Sequence, residues 1–259
     1  MTYAERLKAR LETTGSALCV GLDPRPAQTP GGVEGVEEFL RRVVGDTAEF
    51  AAAFKPNMAY FEAMGLRGIE ILDVLLQEMP VEVPVILDAK RSDIGETQKY
   101  YATSYFENWG VDAVTLNPFL GYDTLEPFLD WEGKGIYLLA VTSNPGSVDF
   151  QRRDCEGKAV FERVGDFCAR AQAEGRKTTA GLVVGLTNAD GEVLAHLPDV
   201  PLLIPGLGAQ GGSLSALQGS GREAASVVNV SRGITYVEGN TDYAGLARQW
   251  AEEIKRKLF

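Results

Sequence analysis

Asp88 and Lys90 stand two residues apart in Leu87-Asp88-Ala89-Lys90-Arg91-Ser92-Asp93, and Asp93 follows three positions later. Positions i and i+2 of an extended strand share one face, so a carboxylate and an ammonium point the same way, with a second carboxylate just beyond. Lys55 closes an earlier apolar run, 51–55. If the two runs are neighbouring strands, one rim carries two lysines among several carboxylates, an alternation that supports mutual pairing. A single Asp-x-Lys is most often plain surface charge. Charges gathered at the ends of two apolar strands are costly unless paired, and their concentration marks an arranged electrostatic site.

A second set of residues suits an anion. Gly206-Leu207-Gly208-Ala209-Gln210-Gly211-Gly212-Ser213 follows one late apolar run, and Ser231-Arg232-Gly233 follows the next. Glycines let backbone N–H groups approach a phosphate, the start of a short helix expected over 214–218 turns further N–H groups toward it, and Arg232 can hold it through two hydrogen bonds.

These groups need a scaffold that brings distant strand ends together. Eight short apolar runs recur, at 17–22, 51–55, 83–88, 113–116, 136–142, 181–186, 202–204 and 226–230. Their near-continuous hydrophobicity implies burial on both faces, as in a parallel sheet covered by helices. Helical patterns fill most gaps, at 36–52, 68–78, 95–109, 124–129, 158–174, 214–218 and 243–258. Most runs end in polar or glycine-rich residues: Asp23, Lys55 with Asn57, Asp88 with Lys90, Asn117, Ser143 with Asn144, Asn188 and Arg232. An open doubly wound sheet competes on strand count alone. The polar ends favour an α/β fold in the form of a single (β/α)8 TIM barrel, because a closed barrel places its chemistry on that rim. No linker-like tract divides the chain, so residues 1–259 are expected to form one catalytic domain.

Composition narrows the function. A formal net charge of −11 argues against nucleic-acid and membrane-surface partners, and confines any anionic ligand to a local basic pocket. No signal-like start or span-length apolar stretch is present, which predicts a cytoplasmic protein. The one histidine, His196, sits in a loop-like segment and leaves no material for a histidine triad or multi-histidine metal site. Cys19, Cys155 and Cys168 lack metal-ligand spacing and read as inert thiols.

The ordered motifs Val20-Gly21-Leu22-Asp23, Phe54-Lys55-Pro56-Asn57, Asp88 through Thr97, Thr142-Ser143-Asn144-Pro145-Gly146, Pro205 through Gly212 and Val230-Ser231-Arg232-Gly233 span nearly the whole chain. Together they resemble the orotidine 5'-phosphate decarboxylase family, most closely its longer bacterial branch. Gly95-Glu96, where Pro-Asn is frequent, and Asn144 depart from the commoner pattern. The resemblance implies a catalytic tetrad of Lys55, Asp88, Lys90 and Asp93, with Lys90 as proton donor and Asp93 entering the partner's site in a homodimer. It implies ribose contacts from Asp23 and Thr97, a pyrimidine contact from Ser143, a phosphate grip from Gln210 and Arg232, and Asn57 among the substrate-binding residues. The implied reaction removes carbon dioxide from C6 of the nucleotide through a carbanion-like centre.

Neither an organic cofactor nor a metal is expected: the glycine-rich loop lacks a dinucleotide-binding context, and Lys55 puts a cation where a divalent ion would need a carboxylate. The rival readings are a magnesium-dependent sugar-phosphate lyase of a related barrel family, a Schiff-base aldolase using Lys90, and a catalytically silent phosphate-binding barrel.

Overall fold

The chain begins with a reciprocal cap. The Thr2 hydroxyl accepts from Glu5 N at 3.2 Å, and the Glu5 carboxylate accepts from Thr2 N at 2.8 Å. This satisfies two amides that a helix start otherwise leaves unpaired, and the helix Tyr3–Thr14 follows. The computed structural model describes residues 1–205, 214–218 and 220–258.

Eight parallel strands come next: β1 Leu18–Leu22, β2 Ala53–Pro56, β3 Ile86–Arg91, β4 Ala113–Leu116, β5 Gly135–Val141, β6 Thr179–Val184, β7 Leu202–Ile204 and β8 Ser226–Val230. Each is hydrogen-bonded to its neighbours in sequence, and β8 returns to β1 through Leu18↔Val228 and Val20↔Val230. The parallel bridges Phe54↔Val85 and Asn57↔Asp88 join β2 to β3 and complete the circuit. The eight expected runs become the eight strands, three of them (β4, β7 and β8) with the expected boundaries.

Long helices cover the outside, among them Val36–Thr47, Gly65–Gln77, Val160–Ala173 and Tyr243–Leu258. The expected helix 36–52 stops at Thr47, since Ala51 and Ala52 are already buried at the entry to β2. The pattern at 95–109 divides into an α-helix, Gly95–Ala102, and a π-helical turn, Thr103–Asn108. A small hairpin pairing Asp154–Cys155 with Lys158–Ala159 lies outside the barrel and had no counterpart in the sequence reading.

Two apolar clusters form the core. The larger packs helices onto the outer strand faces, and the smaller, including Cys19, Ala53, Ile86, Ala113, Tyr137, Val183, Leu203 and Val227, fills the barrel. Each fully buried large side chain contributes about 1.5–3 kcal/mol by leaving water. Tyr3 and Leu7 of the first helix belong to this inner cluster and close the end where the strands begin. The Tyr3 and Tyr137 hydroxyls meet at 3.0 Å, with their rings edge to face at 6.0 Å. Gly135 makes room for this plug, because a Cβ there would stand 2.5 Å from the Tyr3 ring.

Candidate active site

The strand ends opposite that plug carry the charges. Lys55 on β2 and Asp88 on β3 are neighbours across the closing seam, and the Lys55 Nζ lies 3.0 Å from Asp88 Oδ2. On the other side of the same carboxylate, Lys90 Nζ lies 2.6 Å from Oδ1. The Thr115 hydroxyl on β4 donates to Oδ1 at 2.9 Å. Asp88 therefore accepts from two ammonium groups and one hydroxyl.

Burial grades the array. The Lys55 side chain is 5% exposed and that of Asp88 12%, whereas Lys90 is 48% exposed and faces the mouth. Burial alone would raise the Asp88 carboxyl, but Lys55 and Lys90 overcome it and hold the group well below the usual carboxylate range. Burial alone would likewise lower Lys55, yet Asp88 and then Asp23 outweigh it and keep the ammonium charged beyond its ordinary range. Asp23, just past β1, contributes to that field and has a buried Oδ1 with no hydrogen-bond partner among the described residues.

Asp88 and Lys90 meet through an irregularity and not through simple strand alternation. The β3–β4 register runs through Leu87↔Val114 and resumes only at Arg91↔Leu116, and Lys90 takes a positive φ of 49°. The charged segment stays within the sheet, so β3 extends to Arg91 instead of ending near residue 88. Arg91 anchors the end of the strand: it pairs with Glu62, donates from Nε to the Tyr105 hydroxyl at 2.6 Å, and lies 5.3 Å from the Tyr101 ring centre.

The remaining expected residues lie around this rim. Ser143 follows β5, and its loop is tied down on both sides. Asn188 Nδ2 donates to the Thr142 and Asn144 carbonyls at 2.9 and 3.0 Å, and the Gln151 side chain bonds both the Thr142 N–H and hydroxyl at 2.8 Å. Asn57 uses its side-chain oxygen to cap the helix Met58–Glu62, accepting from Ala59 N at 3.2 Å, which gives it a structural task beside any contact with substrate. Arg232 is exposed at the start of a short helix, Arg232–Thr235, that Trp250 braces by donating from Nε1 to Gly233 O at 3.0 Å. Gln210 and the glycine-rich loop around it lie outside the described residues, and the expected helix over 214–218 is a single 3-10 turn, Leu214–Ala216.

Asp93 and Thr97 stand apart from the array within one chain. Asp93 accepts from its neighbour Ile94 N at 2.8 Å, and Thr97 is exposed. Neither is bonded to the lysines among the described residues.

Of the three cysteines, Cys19 and Cys168 are buried, whereas Cys155 is exposed in the small hairpin. Burial pushes the Cys19 and Cys168 thiols up to about 12 each, and His196 Nδ1 rests 2.9 Å from the Glu192 carbonyl on the surface. Asn188 stood out in the sequence only as a polar strand end, and Thr115, Gln151 and the Arg91 anchor did not stand out, because their partners are set by the fold and not by local spacing.

Chemically, the arrangement presents a half-exposed ammonium beside a carboxylate that its neighbours hold well below the usual carboxylate range. It can attract negative charge developing on a bound atom, repel an anionic substituent placed beside Asp88, and deliver a proton. A family model described as orotidine 5'-phosphate decarboxylase / HUMPS family matches residues 16–244. Orotidine 5'-phosphate decarboxylase of Verminephrobacter eiseniae is 43% identical, with 100% of this chain and 98% of that protein covered. The protein of the same name from Paracidovorax citrulli is 44% identical at the same coverage. Among solved structures, the OMP decarboxylase of Leishmania donovani superposes with a TM-score of 0.85 at 35% identity, covering 100% of this chain and 99% of that one.

Proposed function

The chain belongs to the orotidine 5'-phosphate decarboxylase / HUMPS family and decarboxylates orotidine 5'-phosphate to uridine 5'-phosphate in pyrimidine biosynthesis, and we propose that Lys90, Asp88 and Lys55 carry out this reaction together with Asp93 of the partner subunit. The observation that carries the proposal is the single carboxylate of Asp88 spanned by Lys55 at 3.0 Å and Lys90 at 2.6 Å on the catalytic rim of the barrel. Full-length decarboxylase relatives decide against the magnesium-dependent sugar-phosphate lyase.

In the proposed mechanism the substrate carboxylate sits against Asp88, where like charges raise the bound ground state. The bond from C6 to the carboxylate breaks, carbon dioxide leaves, and the electron pair remains on C6 beside the Lys90 ammonium. Lys90 Nζ then gives C6 a proton and recovers one from solvent. Lys55 fixes Asp88 from beneath. Asp23 and Thr97 hold the ribose, Ser143 the pyrimidine, Gln210 and Arg232 the phosphate, and Asn57 borders the substrate.

No single contact supplies the rate. The largest typical enzyme accelerations need about 23 kcal/mol, whereas one preorganised donor contributes roughly 3–4 kcal/mol. The phosphate grip, remote from C6, therefore contributes by closing the loops over the nucleotide.

The working unit is a cytoplasmic homodimer, each chain acting as one catalytic domain over 1–259, without nucleic-acid or membrane partners. Support for the dimer comes from Asp93, which has no bond to the lysines among the described residues, and from the exposed apolar side chains of Ile94 (64%) and Tyr100 (69%) close to it in the chain. Mixing inactive Lys90→Ala and Asp93→Ala chains restores part of the activity if sites are shared, and none if each chain is self-contained. For location, among the described residues no helix is long and apolar enough to cross a membrane, and the net charge is −11.

The decisive test is the fall in ultraviolet absorbance of orotidine 5'-phosphate with chelator present. Rapid loss with the native protein and none with Lys90→Ala supports the assignment; undiminished turnover by Lys90→Ala overturns it.

A further inference from the structure

Among the described residues, the only non-glycine residues with positive φ are Lys90 and Glu156, and Glu156 sits in the turn of the exposed hairpin. Lys90 is in a barrel strand, at the residue that supplies the reacting ammonium. A left-handed conformation is unfavourable for a side chain with a Cβ and persists only where surrounding bonds over-determine it.

The bonds that do so come from β4. Leu87 pairs with Val114 and Arg91 with Leu116, so Asp88, Ala89 and Lys90 on β3 stand opposite one residue, Thr115. Such a bulge draws backbone groups away from the regular ladder. The Lys90 N–H finds its acceptor in the Thr115 hydroxyl oxygen at 2.9 Å, and the hydroxyl proton goes to Asp88 Oδ1 at 2.9 Å. Thr115 is fully buried.

We infer that Thr115 is a positioning residue for the decarboxylation, its one hydroxyl fixing both the left-handed Lys90 backbone and the orientation of the Asp88 carboxylate. The inference rests on the roles proposed above for Asp88 and Lys90. A hydroxyl has one proton to donate and lone pairs to accept with, and both functions are engaged here. An ionised carboxylate can only accept, so the hydroxyl proton goes to Asp88 and favours its ionised form. β-Branching restricts the rotamer of Thr115 and so fixes both bonds at once. Valine would preserve the shape and lose both bonds; serine would preserve both bonds and lose only a methyl group.

A displacement of about 1 Å in a catalytic group costs on the order of 100-fold in rate. For Thr115→Val we expect kcat to fall about 10- to 100-fold, with KM changed by less than about threefold, since Thr115 lies beneath the carboxylate and away from the substrate. Thr115→Ser is expected to recover kcat to within about threefold of native. The acid limb of the kcat profile moves to higher pH in Thr115→Val, because a lost donor makes Asp88 easier to protonate.

The experiment measures kcat, KM, the pH profile and thermal unfolding for native protein, Thr115→Val, Thr115→Ser and Lys90→Ala. A kcat loss in the valine variant, recovered by serine and accompanied by the shifted acid limb, supports the inference. Native kcat in Thr115→Val beside inactive Lys90→Ala overturns it and leaves the site assignment standing. Equal impairment of the valine and serine variants with an unmoved acid limb also overturns it, since the two hydroxyl bonds that serine keeps would then rescue nothing. An active Lys90→Ala instead removes the site assignment itself.

Discussion

Replacing Asp88 with asparagine isolates the electrostatic design from the chemistry. The substitution keeps the size of the side chain and removes the charge that Lys55 faces at 3.0 Å, with only 5% of the Lys55 side chain exposed. Removing one partner of a buried pair leaves the other uncompensated, at about 3–5 kcal/mol. For a chain of this size each kcal/mol moves the unfolding midpoint by roughly 2–4 °C, so Asp88→Asn should melt about 6–20 °C below the native protein at pH 7. The difference depends on pH with a definite sign. In the native protein the Asp88 carboxyl is held low, so its contribution is present above the ordinary carboxylate range and lost as pH falls through the folded value. Lys55 is held high, so its contribution is complete below the ordinary lysine range and lost as pH rises through the folded value. In the variant, Lys55 without Asp88 becomes easier to deprotonate, and raising the pH from 7 toward 10 relieves the strain and narrows the gap between the two proteins. Thermal unfolding followed by circular dichroism at several pH values reads this directly. A variant melting within about 2 °C of native, or above it, would refute the argument that Lys55 depends on Asp88 for its burial.

Three further outcomes follow from other contacts. Arg232→Ala should reduce kcat/KM about 10- to 100-fold, the equivalent of one or two charge-assisted hydrogen bonds to phosphate, and lower kcat as well as raise KM in steady-state assays. Gly185→Ala puts a Cβ 2.8 Å from Ser143 N, so overpacking of about 1–3 kcal/mol should appear as a raised KM for nucleotide with Lys90 chemistry retained. Tyr3→Phe leaves the buried Tyr137 hydroxyl without its partner at 3.0 Å, and thermal unfolding should show a loss of about 1–3 kcal/mol with unchanged kcat.

The barrel was legible because its strands are buried on both faces and therefore read as unbroken apolar runs. β4, β7 and β8 fall where the hydrophobicity alone puts them. β3 runs on to Arg91 where the apolar run ended at 88, because Asp-Ala-Lys-Arg breaks the hydrophobic pattern while the bulge and the Arg91 anchor hold it in the ladder. The first helix left a signal that went unused, the Thr2 and Glu5 cap with Tyr3, Leu7 and Leu11 spaced by four. Lys55, Asp88 and Lys90 were recognisable as a set from charge at strand ends, and the structure brings them into contact. The part of Thr115 was not recognisable. It depends on how two strands slip past each other, a register that no local pattern records.

The Tyr3 plug has a consequence for traffic. With Tyr3, Leu7 and Tyr137 filling one end of the barrel, the charged groups are approached, among the described residues, from the opposite rim. Nucleotide entry and escape of carbon dioxide share that rim, at which the Lys90 side chain stands half exposed. Proton supply from solvent and discharge of the product are thus coupled by plumbing, because both run past the same half-exposed ammonium.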